Sequence, residues 1–73
     1  MLTTYSKSVV PIIEAAYEDL TNVEKSIADY FINNVSDDDL SSRSVSQRLF
    51  VSEASLSRFS KKLGFSGYRQ FLL

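Results

Sequence analysis

Apolar residues recur along most of the chain at the three- and four-residue spacing of amphipathic helices. No extended stretch alternates between apolar and polar positions, as a half-buried strand would. The chain contains only two glycines and one proline, so few residues interrupt the helical pattern. The sequence therefore predicts an all-α fold, a small bundle of about five helices.

The first predicted helix covers residues 9–19. Its apolar stripe consists of Val9, Ile13, Ala16, Tyr17 and Leu20. Pro11 is tolerated in a first turn, where an N–H group would have no partner within the helix. We therefore expect this helix to begin close to Ser8.

A capping box marks the start of the second helix. The Thr21 hydroxyl can accept a hydrogen bond from the backbone N–H of Glu24, while the Glu24 carboxylate reaches back to Thr21. The apolar stripe that follows consists of Val23, Ile27, Tyr30 and Phe31. Asn33 and Asn34 suit the end of the helix. The acidic residues 37–39 are expected to form a solvated connector rather than a metal site, because no further carboxylate cluster accompanies them.

A short third helix is predicted next. Ser41 is its N-cap, and the helix runs to about Leu49. Leu40 and Val45 are placed to pack together as a hydrophobic staple. The start of this helix is therefore well specified by residues within one turn of it.

The fourth helix repeats this arrangement after a tight turn. Ser52 is its predicted N-cap, and Val51 is placed to pack on Leu56. The helix covers residues 53–63. It ends at Gly64, which can adopt the left-handed conformation that commonly follows a helix.

Ser66 is the predicted N-cap of a fifth helix. The chain ends within that helix, on the apolar residues 71–73. An apolar run that stops at the last residue suggests that residues 1–73 are one domain of a longer chain.

The third and fourth helices, residues 41–63, have the pattern of a DNA-binding helix-turn-helix. The side chains expected to form its core are Val45, Ser46, Leu49, Val51, Leu56, Phe59 and Leu63. Ser46 is small where the two helices must approach closely. The apolar, small and capping residues therefore all stand at the positions that one helix-turn-helix motif requires.

Charge divides the chain into two halves. Residues 1–39 carry two basic and eight acidic side chains, whereas residues 40–73 carry six basic and one acidic. The net charge of −1 hides this asymmetry. It suggests an acidic supporting half and a basic half that meets an anionic partner.

Composition narrows the possible functions. The chain has no cysteine, which excludes disulfides and thiolate chemistry. It has no histidine either, so it lacks the commonest general base and the commonest metal ligand. A domain of 73 residues also has little room for a buried catalytic cleft. We therefore expect no enzyme activity, catalytic site, metal site or cofactor. No run approaches the roughly 20 apolar residues of a membrane span, and no signal peptide is evident, so we expect a cytoplasmic protein.

The fourth helix offers the residues best suited to contact bases. Rotation by 100° per residue, with Leu56 and Phe59 inward, turns Ala54, Ser57, Arg58 and Lys61 outward and sets Ser55 and Lys62 on the flanks. The predicted DNA-contact residues are Arg43, Ser52, Ala54, Ser55, Ser57, Arg58, Lys61 and Lys62. Further flanking candidates are Arg48, Tyr68 and Arg69. Glu53 is expected to favour the positive end of the helix dipole, with contact to cytosine as the alternative.

The same residues resemble the N-terminal domain of RpiR-type bacterial transcription regulators. The resemblance covers residues 9–73 and is carried by Leu20-Thr21, Glu24-Lys25, Ile27-Ala28-Asp29-Tyr30, Val51-Ser52-Glu53-Ala54-Ser55-Leu56-Ser57-Arg58-Phe59, Lys61-Lys62-Leu63-Gly64-Phe65 and Gly67-Tyr68. It implies a homeodomain-like helix-turn-helix that binds double-stranded DNA and regulates carbohydrate or phosphosugar metabolism. It also implies a C-terminal sugar isomerase-type (SIS) domain beyond residue 73, which senses a phosphosugar effector and supports a homodimer on a palindromic operator.

Two positions depart from the family pattern. Phe50 stands at a turn position usually held by glycine, so either it tolerates a left-handed φ or the turn is wider. Its ring is also placed to pack toward the fifth helix. Ser42 stands where the family prefers an apolar residue, which is expected to loosen the start of the third helix.

The alternative function is a small helical protein-interaction module that does not bind DNA. It would use the acidic half and the apolar residues of the first helix. Charge placement separates the two readings, because DNA binding predicts that five basic residues converge on one side. These are Arg43, Arg48, Arg58, Lys61 and Lys62. A phosphosugar isomerase activity has no base, nucleophile or glycine-rich loop to support it.

Overall fold

The computed structural model describes residues 4–33 and 39–73, which form five α-helices and no strand. The helices are α1 (Thr4–Ala16), α2 (Asn22–Asn33), α3 (Ser42–Leu49), α4 (Glu53–Lys62) and α5 (Tyr68–Leu72). A 3₁₀ turn, Tyr17–Asp19, joins α1 to α2. The predicted all-α bundle is confirmed. None of the described helices is long and apolar enough to cross a membrane.

The predicted start of α1 is wrong. The helix begins at Thr4, so Pro11 lies in its interior rather than in its first turn. A proline there removes one backbone hydrogen bond, which usually interrupts a helix. Tertiary packing overrides this preference, because Val9 and Ile13 on either side of Pro11 are buried in the core.

The capping box of α2 is confirmed. The Thr21 N–H donates to Glu24 Oε1 at 2.9 Å, and the Glu24 N–H donates to Thr21 Oγ1 at 3.2 Å. The apolar stripe differs at its first position. Val23 is 46% exposed, whereas Ala28, which was outside the predicted stripe, is fully buried. The face of α2 that meets the core is therefore rotated away from Val23.

Both predicted caps of the helix-turn-helix are confirmed. Ser41 Oγ accepts from the Ser44 N–H at 3.3 Å, and Ser52 Oγ accepts from the Ser55 N–H at 3.1 Å. Each hydroxyl satisfies one of the backbone donors that a helix start leaves without a partner. Both helices of the helix-turn-helix therefore begin after the N-caps that the sequence predicts.

Helix α4 packs against α2, α3 and α5, and aromatic rings fill the space among them. Phe31 of α2 meets Phe71 of α5 edge-on with the ring centres 5.0 Å apart, and Phe59 of α4 meets Phe71 in the same way at 5.5 Å. All three rings are fully buried. Leu56 of α4 and Val45 of α3 are also fully buried, as predicted. Helices α2, α3 and α5 therefore pack on three sides of α4, and no other described helix covers its fourth side.

The two ends of the helix-turn-helix share one hydrogen-bond pattern. After α3, the Val51 N–H donates to the Ser46 carbonyl at 2.9 Å; after α4, the Phe65 N–H donates to the Ser60 carbonyl at 3.1 Å. This Schellman pattern places a left-handed residue after each helix. That residue is Gly64 after α4, with φ +103°, and Phe50 after α3, with φ +60°. The tight turn is therefore kept, and Phe50 adopts the strained conformation.

The ring of Phe50 does not pack toward α5. Phe50 is 94% exposed, so this part of the prediction is wrong. The predicted cap of α5 is also wrong by one residue, because Gly67 rather than Ser66 is the N-cap. Gln70 reaches back from the first turn instead, and its Oε1 accepts from the Ser66 N–H at 2.9 Å.

Candidate nucleic-acid interface

The open side of α4 carries the residues that the sequence places outward. Leu56, Phe59 and Ser60 are fully buried on the opposite side. The side chains left in solvent are Ala54, Arg58 and Lys61, with Ser57 half-buried beside them. The predicted rotation of the helix is confirmed for these four residues, and their contact with DNA stays a prediction.

The start of α4 presents backbone donors as well as side chains. Ser52 is exposed, and its hydroxyl oxygen is 2.9 Å from that of Ser55. The first turn of any helix leaves N–H groups without intrahelical partners and carries the positive end of the helix dipole. This end of α4 is therefore suited to an anion such as a backbone phosphate.

Ser55 does not face solvent. It is only 9% exposed, and its hydroxyl contacts Ser52 on one side and accepts from Arg58 Nη2 at 3.5 Å on the other. The packing of α2 explains this, since Ser55 and Arg58 line a cleft together with residues of the α2 capping box. The sequence places Ser55 on the flank of the outward face, and in the structure this flank is buried. The Ser55 hydroxyl links the cap of α4 to Arg58, and its contact with DNA stays a prediction.

Lys62 is likewise turned toward α2. Its Nζ forms an ion pair with Glu24 Oε1 at 2.8 Å and donates to the Asp19 carbonyl at 3.3 Å. Glu24 is only 7% exposed. Burial alone would raise the pKa of Glu24, but hydrogen bonds from Lys62 and from the Thr21 N–H outweigh it and lower the pKa. Lys62 therefore stabilises the contact between α2 and α4, whereas the sequence predicts a phosphate contact.

Arg48 is also engaged within the fold. Its guanidinium donates to Tyr30 Oη at 2.8 Å and to the Asp39 carbonyl at 3.3 Å, and it lies over the Tyr30 ring. Tyr68, another flanking candidate, is buried and donates from Oη to the Leu40 carbonyl at 2.6 Å. The expected convergence of five basic side chains is therefore reduced, because Arg48 and Lys62 serve other contacts.

Three exposed cations differ from these two. Among residues 4–33 and 39–73, no hydrogen-bond or ion-pair partner contacts the side chains of Arg43 at the start of α3, Lys61 on α4 and Arg69 on α5. An exposed cation without an internal partner remains available to an external anion. Arg43 and Lys61 were predicted as DNA contacts; both are exposed in the structure, and their contact with DNA stays a prediction.

The start of α3 is held by two acidic residues, Asp39 and Glu53, to which the sequence analysis assigns other roles. Asp39 accepts from the Ser41 N–H at 2.9 Å and from the Ser44 hydroxyl at 2.8 Å, and these hydrogen bonds lower the pKa of Asp39. Glu53 accepts from the Ser42 hydroxyl at 2.9 Å. Ser42 therefore ties α3 to α4 rather than loosening α3. An acidic residue two positions before a serine cap was the available signal for Asp39, whereas residues 37 and 38 of the predicted connector lie outside the described residues.

Among residues 4–33 and 39–73, no group of three acidic, cysteine or histidine side chains is arranged to hold a metal ion. No curated protein matches the chain. The family model described as the helix-turn-helix domain of the rpiR family matches residues 7–73, which is nearly the whole chain. The two capped helices, the buried core between them and this match agree, and the chain belongs to the rpiR family of DNA-binding, transcription-regulating helix-turn-helix domains.

Proposed function

We propose that this domain binds double-stranded DNA in a sequence-specific manner, with α4 inserted into the major groove. The observation that carries the proposal is the division of α4 into a packed side and an open side. The packed side holds Leu56 and Phe59, and the open side presents Ala54, Arg58 and Lys61. A single exposed helix of this kind is the element that helix-turn-helix domains place against base edges.

The chemistry of each side chain on the open side defines the contact that it would make with DNA. The guanidinium of Arg58 can donate two hydrogen bonds to guanine, and the Ala54 methyl can contact a thymine methyl. The Ser57 hydroxyl can bond either a base edge or a phosphate. These three residues would supply the discrimination between sequences.

Phosphate contacts would set the position of the domain on DNA. Lys61 and Arg43 are exposed cations whose side chains have no partner among the described residues. The Ser52 hydroxyl caps the Ser55 N–H, so the remaining N–H groups of the first turn of α4 would donate to a phosphate. Ser55 would act indirectly, by holding Arg58 through the 3.5 Å hydrogen bond. Lys62 would act indirectly as well, by fixing α4 on α2.

A domain of this size offers few phosphate contacts, so we expect a homodimer that reads the two halves of a palindromic operator. In the same proposal, the regulated genes serve carbohydrate or phosphosugar metabolism, and a phosphosugar effector binds a C-terminal SIS domain. Both of these statements rest on the family resemblance alone.

The test is fluorescence anisotropy of a labelled duplex titrated with the domain at several salt concentrations. Random-sequence DNA should bind weakly, with affinity that falls steeply as salt rises, because phosphate contacts release counterions. An operator selected from a random pool should then bind far more tightly. The control is Lys25→Ala, because Lys25 lies on α2 over the Tyr17 ring, outside the proposed face. This variant should bind both duplexes as the parent does.

Absence of binding at low salt, at protein concentrations above about 100 μM, would contradict the proposal, since even non-specific complexes form below that range. The protein-interaction module would then be the better reading. Equal affinity for the selected operator and random DNA would contradict sequence-specific reading while leaving phosphate contact in place.

A further inference from the structure

Phe50 combines two features that a folded domain usually avoids. Its backbone lies in the left-handed region, with φ +60° and ψ +42°, where a Cβ atom is crowded by the neighbouring carbonyl. Its side chain is 94% exposed, so the aromatic ring gains almost no packing in return. Neither backbone preference nor burial therefore accounts for a phenylalanine at this position.

The end of α4 shows the unstrained solution to the same problem. Gly64 occupies the corresponding left-handed position at φ +103°, within the same pair of backbone hydrogen bonds. A glycine has no Cβ and adopts this conformation without a steric penalty. Glycine at position 50 would therefore support the same turn geometry at least as well as Phe50 does.

Hydrogen bonds of the turn fix the backbone from which the Phe50 ring projects. The Phe50 N–H donates to the Gln47 carbonyl at 3.4 Å, and the next N–H, of Val51, donates to the Ser46 carbonyl at 2.9 Å. Val51 packs against the core, and Ser52 then caps α4. The ring is thus presented to solvent two residues before the N-cap of the helix that we assign to the major groove.

We propose that Phe50 is a DNA-contact residue whose ring packs against the apolar surface of the duplex at the edge of that groove. This inference rests on the proposed function. Strained backbone conformations persist only where the surrounding structure enforces them, and they are concentrated at functional sites. Apolar surface is available on DNA from thymine methyl groups and from deoxyribose.

The surroundings favour DNA over a protein partner. The cations Arg43 and Arg58 lie on the two helices that this turn joins, and both are exposed. The acidic side chain nearest in sequence, Glu53, accepts a hydrogen bond from Ser42. The two helices that the turn joins therefore both carry an exposed cation that attracts phosphate.

The test compares Phe50→Gly, Phe50→Asn and Phe50→Leu in thermal unfolding and in binding to the selected operator. Glycine and asparagine relieve the left-handed strain and remove the ring, so both variants should melt a few degrees higher and bind about 3- to 30-fold more weakly. Leucine keeps the strain and most of the apolar area, and should retain most of the affinity. The same ranking is expected on a half-site duplex, where dimer contacts do not contribute.

The two sources of apolar surface are separated by replacing thymine with uracil in the operator. If the ring contacts thymine, uracil should weaken binding by the parent protein but not weaken binding by Phe50→Gly any further. If the ring contacts deoxyribose, Phe50→Gly should lose the same affinity on the thymine duplex as on the uracil duplex. A Phe50→Gly variant that melts higher and binds DNA as the parent does would overturn the inference. If it also self-associates less in sedimentation, the ring contacts a second copy instead. Failure of the proposed function is recognised separately, because the parent and Arg58→Ala would then bind operator and random DNA alike.

Discussion

The two flanks of α4 carry similar polar side chains but have different surroundings. On the flank that α2 covers, Lys62 forms an ion pair with Glu24 and Ser55 is buried. On the open flank, Arg58 and Lys61 are exposed. Within residues 4–33 and 39–73, their side chains make one hydrogen bond, from Arg58 to Ser55 at 3.5 Å, and Arg58 also borders the cleft beside α2. The polar residues of α4 therefore do not form one uniform surface for a ligand. One flank stabilises the domain, and we assign DNA binding to the other.

The same division appears on α3. Arg48 is bound by Tyr30 and by the Asp39 carbonyl, whereas Arg43 is exposed at the start of the helix. An arginine that is already paired must break those hydrogen bonds before it can reach a phosphate. The domain therefore divides its basic residues between structure and binding on both helices of the motif.

The largest effect is expected for Arg58→Ala on binding to the selected operator. Loss of a bidentate contact to guanine should weaken binding about 5- to 150-fold, equivalent to about 1–3 kcal/mol, and relax specificity at one position. The free energy of unfolding should stay within about 0.5 kcal/mol, because the side chain is exposed. Anisotropy with matched and mutated operators, together with urea unfolding, measures both quantities.

Arg58→Lys is the matched control for that variant. It keeps the charge but loses the planar fork, so it should keep non-specific binding and lose most of the specificity. If Arg58→Ala unfolds the domain while affinity per folded molecule is unchanged, the open flank is structural and the comparison between the flanks is wrong.

Glu24→Ala tests the flank that α2 covers. In contrast to Arg58→Ala, it should lower stability and leave the affinity for DNA unchanged. It removes one half of the capping box and the partner of Lys62, so the free energy of unfolding should fall by about 1–2 kcal/mol. Glu24→Gln keeps a side chain that can reach the Thr21 N–H and should lose less. Affinity for DNA, corrected for the folded fraction in circular dichroism, should not change in either variant. A weaker affinity per folded molecule would mean that the α2 contact also orients the open flank.

The errors of the sequence analysis follow this same division. The caps at Thr21, Ser41 and Ser52 were predictable because each depends on atoms within one helical turn. The burial of Ser55 depends instead on how α2 lies against α4, which spacing along α4 alone does not contain. Pro11 illustrates the converse, since a strong local preference for a first turn is overridden by the burial of the residues around it.

The packed flank should also make stability depend on pH. The folded-state pKa of Glu24 lies below its ordinary value of 4.5, because hydrogen bonds from Lys62 and Thr21 outweigh the effect of burial. A depressed carboxyl pKa contributes stability that is complete above the unfolded value and is lost as pH falls through the folded value. Urea unfolding should therefore show a stability that declines below about pH 4.5, with a smaller decline in Glu24→Gln. The part that remains in that variant should include Asp39, whose pKa is lowered by the Ser41 N–H and the Ser44 hydroxyl. An unchanged pH profile in Glu24→Gln would exclude the ion pair as a source of the dependence.

The smallest effect is expected for Lys61→Ala, on the same open flank as Arg58. Because Lys61 is assigned to a phosphate rather than to a base, its loss should weaken binding a few-fold and equally for matched and mismatched operators. The slope of log affinity against log salt concentration should decrease by about one. Lys62→Ala is the matched control one residue along the helix: it should leave that slope unchanged and lower the free energy of unfolding, because its charge is paired with Glu24. An equal decrease of the salt slope in both variants would show that the Lys62–Glu24 ion pair opens when the domain binds DNA. Both flanks of α4 would then contact phosphate, and the division seen in the free domain would not hold in the complex.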